Sequence, residues 1–364
     1  MPKVVHVVGA RPNFVKVAPV MAALARRGTI TQRLVHTGQH YDDALSRIFF
    51  DELQLPRPVD LGVGSGTHAA QTAAVLLRLE PVLAAERPDL VVVVGDVNST
   101  LAAALVAAKL DIPVAHLEAG LRSFDRRMPE ETNRVVADHV SALLLAPSAT
   151  AAANLAREGV PPDSIVMIGN VMIDTLLAHR AAAPWDEVCR ALDVSDRRYA
   201  VLTLHRPANV DAPERLRALV DAVARAAGSW PVVFPAHPRT ASRLEAHGID
   251  FAGTGLRVCA PLGYRAFLAL MDHAACVFTD SGGIQAETTA LGVPCLTLRD
   301  TTEWPETIAQ GTNTLVGTDP DALGLSVAAA LGGRRPPPAP IPGWDGHAAD
   351  RAADAIARWL ETRR

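Results

Sequence analysis

The chain is predicted to fold as two α/β domains, each a Rossmann-like layer of parallel strands covered by helices. Three observations carry that prediction. Short apolar runs alternate with amphipathic stretches along the chain, the pattern of βαβ units. The runs form two series, separated by a polar, alanine-rich segment over residues 178–196. The length, 364 residues, exceeds what one hydrophobic core ordinarily organises, so two domains of about 150–200 residues are expected.

The first series opens with Val4–Val8 and an amphipathic helix over Phe14–Arg27. It continues through Leu34-Val35, Leu90–Val94, a helix over Thr100–Leu110, Val114–His116, Leu143–Leu145 and Ile165–Met167. The second runs through Tyr199–Leu204, Val232–Phe234, Val258-Cys259, Cys276–Phe278 and Cys295–Thr297. The expected domains are residues 1–177 and 196–345. The proline-rich stretch Arg334–Gly343 can continue neither a helix nor a central strand and reads as an extended connector. Residues 346–364 then form a helix, with Ala352, Ile356 and Leu360 on one face, packing back across a domain surface.

Composition narrows the partners. The net charge of −4 offers no basic footprint for nucleic acid or an anionic membrane, so an anionic ligand requires a local cationic pocket. No apolar run approaches the ~18–20 residues of a membrane span, and no basic n-region leads into an apolar one, so a soluble, cytoplasmic protein is expected. The four cysteines, Cys189, Cys259, Cys276 and Cys295, stand singly, without the spacing of a zinc or redox pair, and are expected to be buried and reduced. Lysine occurs only at positions 3, 16 and 109, which draws attention to Lys16.

In doubly wound sheets ligands bind beyond the carboxyl ends of the strands. Those positions here are charged and convergent. They are Gly9–Asn13 with Lys16 one turn on, Gly95–Thr100, His116–Arg122, His205–Pro207, His237–Arg239 and Thr279–Glu287, read TDSGGIQAE. In the last, Gly282 and Gly283 let backbone N–H groups approach a phosphate, and the positive end of the following helix points the same way. Glu287, one turn in, can accept hydrogen bonds from ribose hydroxyls. Each position alone has a plainer reading: Ser281 as an N-cap, Asp96 and Glu118 as an exposed pair, His116 as a satisfied core histidine, Arg126-Arg127 as a solvated loop. Their recurrence at successive strand ends argues for an anion-binding active site. Gly62–Gly66 lacks the GxGxxG spacing of a dinucleotide loop and reads as a linker capped by Thr67. No motif has metal-ligand spacing, so neither a metal nor any other cofactor is expected.

Taken together, Arg11/Lys16, Gly95-Asp96, His116–Arg122, Pro129–Arg134, His205-Arg206 and TDSGGIQAE occur in an order that resembles the bacterial UDP-N-acetylglucosamine 2-epimerases of the non-hydrolysing type, in register from Val4 to Gly317. The resemblance implies a glycosyltransferase-B-like fold, two Rossmann-like domains with parallel sheets facing a central cleft that holds a UDP-sugar, in a homodimer. Carried over by position, Arg11, Lys16, His205, Phe267, Ser281, Gly282, Gly283 and Glu287 hold UDP, with Arg134 and His237 joining the substrate-binding set. Asp96, Glu118, Glu130 and His205 are the implied catalytic residues, with Glu130 and Asp96 moving the protons. The implied reaction is anti elimination of UDP to 2-acetamidoglucal, then re-addition with a proton delivered to the opposite face of C2.

The sequence departs from the family pattern at several points. Asn13 and Ala208 stand where acidic residues are usual, Trp304 where an arginine contacts UDP, and Leu262 in place of a uracil-side glutamine. A lost charge-assisted bond costs about 1.5–3 kcal/mol unless another cation replaces it; Arg299 is the nearby candidate. Gln39 and His40 match positions where some members bind a second, activating UDP-N-acetylglucosamine, but Asp42 replaces a glutamine there. Three rival readings stay open: a hydrolysing relative that releases UDP and N-acetylmannosamine, a UDP-sugar-dependent glycosyltransferase, and a non-catalytic UDP-sugar sensor.

Overall fold

The computed structural model describes residues 1–39, 43–228, 230–236, 238–246, 248, 255–317, 319 and 340–363. The chain divides into two compact units, Met1–Ala178 with Pro342–Arg364, and His179–Ile341.

The first unit is built on a seven-stranded, fully parallel sheet ordered β3-β2-β1-β4-β5-β6-β7. Its strands are β1 (Lys3–Val8), β2 (Thr31–His36), β3 (Val59–Asp60), β4 (Leu90–Val94), β5 (Val114–Leu117), β6 (Leu143–Ala146) and β7 (Ile165–Met167). The central strands read as continuous apolar runs because helices cover both faces; every residue of β4, from Leu90 to Val94, is buried. Helix His68–Glu86 starts at the expected place, with Thr67 Oγ1 accepting from the Ala70 N–H at 3.2 Å.

The second unit holds a six-stranded parallel sheet ordered β10-β9-β8-β11-β12-β13. Its strands are β8 (Ala200–Thr203), β9 (Val232–Pro235), β10 (Leu256–Cys259), β11 (Cys276–Thr279), β12 (Cys295–Thr297) and β13 (Asn313–Leu315). Two strands, β3 and β13, were not foreseen. Both are sheet edges of two and three residues, too short to leave an apolar run. Cys276 and Cys295 are buried, whereas Cys189 and Cys259 are half-buried; all four are free thiols.

The last helix, Ala348–Glu361, belongs to the first unit. Ala352, Ile356 and Leu360 are buried. Asp174 caps its start, accepting from the N–H groups of Ala348 at 3.2 Å and Ala349 at 2.7 Å. Arg26 and Arg27, at the end of helix Arg11–Arg27, pair with Asp350 and Asp354. No helix among the described residues is long and apolar enough to cross a membrane.

Candidate active site

In the first unit the strand order reverses between β1 and β4, the place where doubly wound sheets bind ligands. After β1 the chain enters helix Arg11–Arg27, which carries Lys16 inward, buried. Asn13 secures that entry. Its Oδ1 accepts from the N–H groups of Gly9 at 3.0 Å and Ala10 at 3.1 Å, and its Nδ2 donates to the Val94 carbonyl at the end of β4 at 3.0 Å. Gly95 follows with φ +64, a conformation glycine takes without strain. A Cβ there would lie 3.2 Å from Lys16 Nζ, 3.3 Å from Asn13 Nδ2 and 3.4 Å from Glu118 Oε2, so these groups converge on the bend that leads into Asp96.

Glu118, directly after β5, has φ +78, a left-handed conformation that costs a non-glycine residue about 1–3 kcal/mol. Its N–H donates to Leu145 O at 3.1 Å, which helps hold it there. Lys16 Nζ forms an ion pair with Glu118 Oε2, and both side chains are buried. Burial pushes the Glu118 carboxyl up; the charge of Asp96 adds to this, and Lys16 and Arg134 oppose it without cancelling it. Burial alone would lower Lys16, but the Glu118 and Asp96 carboxylates hold it above the ordinary lysine value.

Helix Pro129–Val140 presents Glu130, Arg134 and Asp138 on one face by their i, i+4 spacing. Glu130, in the first turn, is half-buried. Arg134 is buried and lies between two carboxylates: Nε and Nη2 donate to Asp96 Oδ2 at 3.0 and 2.5 Å, and Nη1 to Glu131 Oε2 at 2.8 Å. Arg11 stands at the helix start with its guanidinium 6.0 Å from the centre of the Phe49 ring.

In the second unit the reversal falls between β8 and β11. His205, two residues beyond β8, places Nδ1 2.7 Å from Asp280 Oδ1, and Asp280 follows β11. The Asp280 carboxylate also accepts from the N–H groups of His205 and Arg206 and from Asn209 Nδ2. Burial alone would raise Asp280, but His205 and these donors push it down to about 2. Helix Gly282–Leu291 begins just after, with Ser281 in the N-cap position but without a side-chain capping bond. A Cβ on Gly282 would lie 2.0 Å from Glu303 Oε1, so Glu303 is packed against the turn. Arg299 Nη2 donates to Glu303 Oε2 at 2.7 Å, both groups buried. Glu287 is buried and accepts from Tyr264 Oη at 3.4 Å. Burial, then the charge of Glu287, pushes the Tyr264 hydroxyl well up. Phe267 is half-buried on the same helix as Tyr264, Tyr264–Asp272. His237 lies outside the described residues, as do His40 and Asp42.

Several groups that organise these sites were not singled out from the sequence: Asp280, Asn209, Glu131 and Glu303. Only Asp280 left a signal, an acidic residue at a strand end within TDSGGIQAE.

Comparison with known proteins decides the family. The family model described as UDP-N-acetylglucosamine 2-epimerase matches residues 22–357. The chain belongs to the UDP-N-acetylglucosamine 2-epimerase family. It is 44% identical over 338 residues to the UDP-N-acetylglucosamine 2-epimerase of Methanocaldococcus jannaschii, covering 90% of this chain and 92% of that one. It is 42% identical over 336 residues to the UDP-2,3-diacetamido-2,3-dideoxy-D-glucuronate 2-epimerase of Pseudomonas aeruginosa, covering 91% and 92%. The crystal structure of the Methanocaldococcus jannaschii enzyme in complex with UDP-GlcNAc and UDP superposes with a TM-score of 0.91 at 41% identity, covering 99% of each chain. The matches are archaeal as well as bacterial, so the bacterial resemblance widens to the family as a whole. The glycosyltransferase-B-like arrangement of two Rossmann-like domains is that of its structural neighbours.

Two departures within this epimerase family gain a physical account. Asn13 uses both ends of its amide, and an aspartate could not donate to Val94 O. Arg299, the cation nearest in sequence to Trp304, is paired with Glu303. Trp304 is buried, its Nε1 3.7 Å from where a Gly282 Cβ would sit.

Proposed function

We propose that the chain interconverts UDP-N-acetylglucosamine and UDP-N-acetylmannosamine without net hydrolysis. The C2 hydrogen of a pyranoside has no neighbouring carbonyl to acidify it. Departure of UDP from C1, with the bonding electron pair, places positive charge beside C2 and makes its proton removable. The C1=C2 double bond of the glycal then forms. Return of a phosphate oxygen to C1, with a proton delivered to the other face of C2, completes the inversion. The reaction therefore needs a nucleotide seat and two proton-transfer groups, one for each face.

The observation that carries this reading is the cluster at the carboxyl ends of β4 and β5, where Lys16 meets Glu118 and Arg134 meets Asp96. In the reading, Asp96 and Glu130 move the protons, and Glu118 orients the sugar and tunes its neighbours. Arg11 and Lys16 answer the diphosphate, and the Ser281-Gly282-Gly283 turn offers it backbone donors. His205, oriented through Nδ1 by Asp280, offers Nε2 to the departing oxygen. Phe267 and Glu287 hold the nucleoside, with Glu287 on the ribose hydroxyls, and His237 joins the substrate contacts. The protein acts as a cytoplasmic homodimer in this reading, and sedimentation of the purified chain tests the dimer.

Incubation with UDP-N-acetylglucosamine in D2O, followed by proton NMR, tests the reaction. UDP-N-acetylmannosamine with deuterium at C2 is expected. Accumulation of free N-acetylmannosamine and UDP would establish the hydrolysing reaction instead, and absence of C2 exchange would remove the elimination route.

The identity to the Pseudomonas aeruginosa relative supports a second reading, a substrate carrying a 3-acetamido group and a C6 carboxylate. The ratio of kcat/KM for the two nucleotides chooses between them.

A further inference from the structure

Beside the proposed carboxylate cluster lies a second set of ionisable groups, with His116, Asp138 and Arg122 buried, for which the reaction as written has no use. His116, on β5, is completely buried. Its Nε2 lies 2.7 Å from the Gly95 carbonyl, and its Nδ1 lies 2.6 Å from Asp138 Oδ1. The Gly95 carbonyl can only accept, so Nε2 carries the proton that bridges to it. The other oxygen of Asp138 accepts the Gly120 N–H at 3.1 Å and pairs with Arg122 Nη1 at 2.7 Å. Arg122 is fixed in turn by Glu158, from Nε at 2.8 Å and Nη2 at 2.7 Å.

The connections of Asp138 lead to each member of the cluster. Through His116 it grips the carbonyl of Gly95, the residue before Asp96. Through the Gly120 N–H it grips the turn that begins at Glu118. Through its own helix, Pro129–Val140, it is two turns from Glu130 and one from Arg134, which holds Asp96. Burial works against a charged Asp138, but His116 and then Arg122 keep it below the ordinary carboxylate value.

We propose that Asp138, acting through His116 and the Gly120 N–H, is the positioning residue that sets the geometry of Asp96, Glu118 and Glu130 for proton transfer at C2. The inference rests on the reading of those carboxylates as catalytic. A displacement of about 1 Å in such a constellation can cost roughly 10²-fold in turnover, whereas Ser281, Gly282, Gly283 and Glu287, the larger part of the proposed nucleotide seat, belong to the other unit.

The test uses the full chain with Asp138→Asn, His116→Ala, His116→Gln and, as control, Asp96→Asn. Thermal melting, UDP affinity by calorimetry, kcat, KM and C2 deuterium exchange are measured for each. In folded Asp138→Asn, kcat is expected to fall about 10²-fold with KM within about threefold and UDP affinity unchanged. His116→Gln, whose amide can still donate to the Gly95 carbonyl, is expected to recover at least about tenfold over His116→Ala. Folded variants with wild-type kcat, or with kcat and UDP affinity falling together, overturn the inference. If Asp96→Asn turns over normally, the catalytic assignment fails and the inference with it; if Asp96→Asn is inactive and Asp138→Asn is not, only the inference fails. Nitrogen-15 NMR of the unaltered protein gives a readout that needs no variant to fold: a proton on His116 Nε2, facing the Gly95 carbonyl, supports the inference, and an unprotonated Nε2 overturns it.

Discussion

His205 and Asp280 meet across the strand reversal of the second sheet, Nδ1 to Oδ1 at 2.7 Å, one at the end of β8 and the other at the end of β11. The carboxylate is fully buried while the imidazole is half exposed. The buried partner therefore fixes the ring, and Nε2 remains the nitrogen that can meet a ligand. The same carboxylate ties down the backbone of residues 205 and 206, so orientation of the ring and shape of the loop are set by one group.

Replacing Asp280 by Asn should preserve the shape of the loop but leave His205 without its counter-charge. A loss of about 10²-fold or more in kcat/KM is expected, by analogy with other His–carboxylate pairs. NMR assay of epimerisation checks it, and activity near wild type would assign the pair a purely structural role.

The same residue predicts an acid limb in stability. Asp280 titrates at about 2 in the folded chain, against about 3.9 when unfolded. A depressed carboxylate stabilises the fold above its unfolded value, and the contribution fades as pH drops towards the folded one. The wild type should exceed Asp280→Asn in stability by roughly 2 kcal/mol at neutral pH, with the difference shrinking between pH 4 and pH 2. Denaturant unfolding at stepped pH measures it; a difference independent of pH would contradict the assignment.

Lys16→Met removes the partner of a buried carboxylate. The expected cost is about 3–5 kcal/mol at pH 8, because Glu118 is left charged and enclosed. Since burial already raises Glu118, acidification should neutralise it in the variant and return part of the loss. Adding Glu118→Gln to Lys16→Met should restore stability but not turnover. Thermal melts of the cycle of variants are the check.

Asn13→Asp would install the acidic residue usual in the family, yet it should destabilise this chain by about 1–3 kcal/mol, because the Val94 carbonyl loses its donor. A gain in melting temperature would show that Lys16 compensates.

Gly282→Ala places a methyl group on Glu303, whose carboxylate is held by Arg299. Overpacking of this kind costs about 1–3 kcal/mol, and UDP affinity should fall at least tenfold (roughly 1.4 kcal/mol) if the turn is the phosphate seat. Calorimetric titration with UDP reads it directly.

The apolar runs were enough to place the inner strands, since a strand covered on both faces must be apolar along its length. β3 and β13 escaped notice because Val59-Asp60 and Asn313-Thr314-Leu315 hold no two consecutive apolar residues. At the site, residues immediately after strands were legible as a set: Asp96, Glu118 and His205 all stand at such positions. Their supports were not. Asp280 pairs with a residue 75 positions earlier, and Glu303 reaches Gly282 from a different segment, so only folding reveals the contacts. Asn13 was read as a departure from the family, and its reason, a carbonyl at the end of another strand, is visible only in three dimensions. Arg134 was legible as a cation within Pro129–Arg134, but its carboxylate partners Asp96 and Glu131 were not.

The helix Ala348–Glu361 completes the unit that begins at Met1. On the ribosome, residues 1–178 must therefore wait for the later helix Ala348–Glu361, while residues 179–341 can finish in between. Domains ordinarily fold in order of synthesis; here the later half is free to mature ahead of the earlier one, and a chain stalled before residue 342 would carry a finished second sheet beside a first that still lacks its closing helix.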